Sequence, residues 1–90
     1  MPRYDAPLKD MSFVLNEVLN VSQLTDYEKF AEADADILSA ILEEGNKFSR
    51  EVLAPLNIVG DHEGCVRHDD GSVTTPTGFK EAYDQMVQNG

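Results

Sequence analysis

Tryptophan is absent and cysteine occurs once. Only seven lysines and arginines stand against 17 aspartates and glutamates in these 90 residues. Each shortage excludes something. A lone Cys65 cannot close an internal disulfide, which fits a reducing compartment. A formal net charge of −10 rules out the counterion-replacing contacts of a nucleic-acid-binding protein. It equally disfavours an anionic membrane surface. No apolar run approaches the ~20 residues of a membrane span. The opening Met1-Pro2-Arg3-Tyr4-Asp5 lacks the basic-then-apolar plan of a signal peptide, so the cytoplasm is the expected location.

What is present is a globular composition, 41% hydrophobic and 27% charged. Ninety residues make at most one small domain. A chain of this size buries only ~60–65% of its unfolded surface and gains from a partner. Residues 1–7, with Pro2 and Pro7, read as an extended arm. A helix follows over 8–20, its stripe made of Leu8, Met11, Leu15, Val18 and Leu19. Phe13 and Val14 add a second apolar face, which predicts packing on two sides. Thr25-Asp26 can cap a short turn carrying Tyr27 and Phe30. The long helix is expected over 35–54, with Asp34 as N-cap and Ile37, Leu38, Ile41, Leu42, Phe48, Val52 and Leu53 in helical period.

Gly45 lies inside that helix, where it costs about 1 kcal/mol relative to alanine. It is either a point of close approach by another helix or a tolerated surface glycine. Pro55 should end or kink the helix, and 57–75 reads as a glycine-punctuated loop. Within it, residues 65–68 and 72–74 flank Asp69-Asp70-Gly71 as a short β-hairpin. Thr75-Pro76 then opens a helix over 76–89, with Phe79, Ala82, Tyr83, Met86 and Val87 as its stripe and Gly90 as its C-cap. The fold class is all-α: a helical hairpin or bundle of about three helices with a long Gly-rich loop and a short β-hairpin. No internal repeat or interdomain linker interrupts it.

His62, Glu63, Cys65, His68, Asp69 and Asp70 are the loop's metal-type side chains. Their spacing lacks the two local ligand pairs of a structural zinc site. A Cys65–histidine nucleophile pair would need an orienting third group and an oxyanion site, and the sequence signals neither. Lys80 near a helix start lacks a glycine-rich phosphate cradle around it. A solvated polar loop explains all of them, and no catalytic, cofactor-binding or metal-binding residue is assigned.

Several segments together carry a resemblance. They are Tyr4-x-Ala6-Pro7-Leu8-x-Asp10-Met11-x-Phe13-Val14-Leu15-Asn16-Glu17-Val18-Leu19, Ile41-Leu42-Glu43-Glu44, Phe48-x-x-Glu51-Val52-Leu53-Ala54-Pro55-Leu56-Asn57 and Gly60-Asp61-x-Glu63-Gly64-Cys65. In this order and at these spacings they resemble the N-terminal segment of a large bacterial acyl-CoA dehydrogenase, of the long-chain and methylthiopropanoyl-CoA dehydrogenase-like subgroup. Gly45 departs from the alanine-like residue expected there.

The resemblance implies a parent FAD-dependent oxidoreductase of fatty-acid metabolism that introduces a double bond between the α and β carbons of acyl-CoA thioesters. Its fold has an N-terminal helical, a middle β and a C-terminal helical domain, and residues 1–90 would be part of the first. Flavin contacts and the catalytic base would lie elsewhere, so the fragment itself is expected to be structural, inactive and free of FAD. Its partners would be the remainder of the enzyme, the parent's acyl-CoA substrate, and further copies in a homo-oligomer. A free-standing helical interaction or dimerisation module is the competing reading.

Overall fold

A computed structural model describes residues 3–90. The chain is mostly helical, with one two-stranded antiparallel hairpin, as expected for its class. It divides into two compact units, residues 5–48 and residues 49–90 together with Arg3 and Tyr4.

In the first unit, α1 (Leu8–Phe13) continues as a π turn over Val14–Val18. Asn20 ends this helix in the left-handed region (φ 49), which asparagine tolerates better than most residues. Two 3₁₀ segments, Val21–Asp26 and Glu28–Phe30, occupy the irregular stretch. The Thr25 hydroxyl donates back to the Ser22 carbonyl (2.8 Å), so it does not cap the turn after it. Asp34 does cap α2 (Ala35–Phe48): its Oδ1 accepts the Ile37 N–H at 2.9 Å. Asn46 of α2 holds the arm. Asn46 Oδ1 accepts the Ala6 N–H, and Asn46 Nδ2 donates to Asp5 Oδ1, both at 2.8 Å.

In the second unit a π turn over Ser49–Leu53 leads into α3 (Ala54–Glu63). Pro55 therefore does not end the helix. It sits in the first turn of α3, where no N–H is needed, directly after a wider-than-α turn. The expected loop over 57–75 is accordingly too long at its start. Gly60 is a helical residue against which the Phe79 ring packs: a Cβ there would lie 2.7 Å from the Phe79 Cζ. The helix ends at Gly64, whose φ of 63 and ψ of −176 suit glycine alone.

The hairpin pairs β1 (Val66–Arg67) with β2 (Val73–Thr74), Val66 opposite Thr74 and Arg67 opposite Val73. Gly71 turns it at φ 88. The last helix, α4, spans Phe79–Gln88, three residues later than Pro76 predicts. Thr75 does not cap it. Thr77 is drawn away by Glu63, and Gly78 at φ 89 is not helical. Asn89 follows as C-cap, with Gly90 beyond it at φ 82.

Little of this is covered. Ala82 (5% exposed) and Pro76 are the buried residues among those described, and both lie in the second unit. The accessible surface is 7398 Å². Two separate compact globules of half this mass would together expose only about 6,300 Å². Phe13, Val18, Leu19, Ile41, Tyr27, Tyr83 and Val87 are each more than half exposed.

Candidate functional site

The polar loop and the helix ends around it are the densest group of chemically capable side chains, and all belong to the second unit. α3 delivers Glu63 to the start of the loop, and the chain returns 14 residues later. There the Thr77 N–H donates to Glu63 Oε2 (2.7 Å) and the Thr77 hydroxyl to Oε1 (2.9 Å). The backbone bond from Thr77, then its hydroxyl, holds the Glu63 carboxyl below the usual glutamate range. This two-point clamp closes the loop. It is reinforced where Gly78 meets Leu56: a Cβ at Gly78 would lie 2.8 Å from the Leu56 Cδ2.

The remaining metal-type side chains are engaged locally or stand apart. His68 Nε2 and Thr74 Oγ1 share a 2.6 Å hydrogen bond across the hairpin. Asp70 Oδ1 accepts the Ser72 hydroxyl (2.6 Å) and N–H (2.9 Å), the hydroxyl bond being the larger cause of its lowered carboxyl pKa. Cys65 is a free, exposed thiol. Among the described residues no three of His, Cys, Asp and Glu are grouped as metal ligands would be. Lys80 donates to Asp84 at 2.9 Å, one helical turn on, and that bond raises its pKa. An anion at the start of α4 would compete with Asp84 for it.

The second unit also carries a groove of about 500 Å³, which the sequence did not reveal. Ser49 and Leu53 from the π turn, Asn57 and Ile58 from α3, and Arg3 and Tyr4 from the arm line it. Arg3 and Tyr4 lie more than 40 positions from the other members, so no local pattern announces it. The lining is largely apolar, with one guanidinium at its edge. It has neither a nucleophile–base pair nor a run of backbone N–H donors for a pyrophosphate. No helix of the described residues is long and apolar enough to cross a membrane.

No protein-family model matches the chain, and no solved structure does. Two curated proteins do. Over 97% of its length the chain is 38% identical to the 3-methylmercaptopropionyl-CoA dehydrogenase of Ruegeria pomeroyi. Over 92% it is 31% identical to the butyryl-CoA dehydrogenase of Syntrophomonas wolfei subsp. wolfei. It spans only about 15% of the length of these relatives. The chain is thus homologous to a segment of proteins named as acyl-CoA dehydrogenases, the family its motifs resemble.

Proposed function

We propose that this chain is the N-terminal helical portion of an FAD-dependent acyl-CoA dehydrogenase of the long-chain and methylthiopropanoyl-CoA dehydrogenase-like subgroup. The observation that carries this is the 38% identity running through 97% of the chain. The parent enzyme would oxidise an acyl-CoA thioester across its α and β carbons, as the resemblance implies. In that parent a carboxylate would act as base towards the α proton, and bound FAD would supply the oxidising chemistry. The residues described here do not fit a flavin. Arg3 is the cation at the groove, Lys80 is engaged by Asp84, and a net charge of −10 opposes a pyrophosphate. Cofactor contacts and the base are therefore assigned to other parts of the parent.

The role of this segment is architectural. Asn46 holds the arm and the Glu63–Thr77 clamp holds the loop, while the uncovered helical faces seat the rest of the enzyme. The parent is proposed to be cytoplasmic and homo-oligomeric. Flavin binding tests the reading. The 90-residue chain should not quench FAD fluorescence, and a longer polypeptide continuing past Gly90 in the same frame should. FAD bound stoichiometrically by the chain alone, or acyl-CoA oxidation by it, would overturn the assignment. The exposed apolar faces also favour a free-standing interaction module. A stop codon directly after Gly90 would select that reading instead.

A further inference from the structure

Ile37, Ile41 and Gly45 lie on one i, i+4, i+8 line of α2, so they form a single ridge. The two isoleucines are 47% and 59% exposed. Gly45 is exposed as well, and nothing lies within 4 Å of where its Cβ would stand. Its backbone does not need glycine, because its φ is not positive. A mid-helix glycine weakens a helix relative to alanine, and nothing in the described chain compensates here. The neighbouring line, Leu38, Leu42 and Asn46, is half-buried, and Asn46 holds the arm there.

We propose that the Ile37–Ile41–Gly45 line is a crossing seat for an α-helix from the remaining polypeptide of the parent acyl-CoA dehydrogenase. The isoleucines are the packing ridge, and Gly45 is the notch where the two backbones approach. This rests on the reading above. The chain spans about 15% of its relatives' length, which leaves ample polypeptide to supply the helix. A second copy is a poor occupant, since each carries a net charge of −10. Glu44 beside the line fits a covering helix with lysine or arginine at its edge.

The test compares the isolated chain with a chimera in which this chain replaces the matching segment of the Ruegeria pomeroyi relative. Gly45→Ala should raise the melting midpoint of the isolated chain by about 4–8 °C. In the chimera Gly45→Ala and the bulkier Gly45→Leu should instead lower it, as should Ile41→Asp. Ser39→Ala, on the opposite side of α2, should behave alike in both. If the unsubstituted chimera fails to fold and retain FAD, the parent reading falls and the seat with it. A folded chimera that Gly45→Leu and Ile41→Asp leave unchanged overturns the seat alone. Self-association of the isolated chain that Ile41→Asp abolishes would assign the line to a second copy and likewise overturn it.

Discussion

The two units use glycine in opposite ways. In residues 49–90, Gly60 receives the Phe79 ring and Gly78 receives the Leu56 side chain, and the buried residues Pro76 and Ala82 lie in the same unit. In residues 5–48, Gly45 faces open space and no residue is buried. In the second unit two of the glycines, Gly60 and Gly78, are each met by a large side chain within reach. The first has the small residue and the large ones on a helix face, with no counterpart against them. A helix can thus be well formed by capping and propensity and still lack the burial that supplies most stability.

One substitution made at each glycine breaks this comparison most sharply. Gly78→Ala should have the largest effect, because it combines overpacking against Leu56 with a left-handed φ. About 2 kcal/mol or more should be lost, measured as a fall in the urea midpoint. Gly60→Ala should come next. Its gain in helix propensity is outweighed by the collision with Phe79, for a net loss of about 1–2 kcal/mol. In the first unit Asp34→Ala removes the α2 cap and should cost about 1 kcal/mol, seen as reduced helicity on far-UV circular dichroism. Gly45→Ala should reverse the sign seen at Gly60 and stabilise the isolated chain by about 1 kcal/mol. If all three glycine substitutions shift stability in the same direction, the contrast between the units is wrong.

The smallest effect expected is one of pH. Glu63 titrates below its ordinary value in the folded chain because Thr77 donates to its carboxylate. The folded state therefore binds this proton less readily than the unfolded one. The clamp contributes in full above the unfolded glutamate value of ~4.3, and its contribution is lost as pH falls through the lower folded value. Melting curves between pH 6 and 3 should show this slope, and Glu63→Gln should flatten it. An identical slope in both proteins would remove the clamp from the account.

Local chemistry made much of the structure legible. The Asp34 cap, the Asp70-Gly71 turn and the first helix need only residues a few positions apart. Where the reading failed, a distant contact or an unusual turn had decided the outcome. Of the two outcomes open at Pro55, an end or a kink, the helix does not end, and the π turn directly before Pro55 leaves no trace in periodicity. Gly60 looked like loop punctuation because Phe79, 19 positions away, gives it a helical purpose. Thr75-Pro76 looked like a helix start because Glu63's hold on Thr77 is not local. The groove was hidden for the same reason: Arg3 and Tyr4 meet a helix far along the sequence.

Amide hydrogen exchange on the isolated chain, resolved by residue, tests the central claim most directly. Surfaces meant for other polypeptide should leave residues 8–48 weakly protected, with the slowest amides in α3 and in α4 around Ala82. Uniformly slow exchange from Leu8 to Phe48, matching that of α3 and α4, would show the first unit to be complete by itself and would contradict the account.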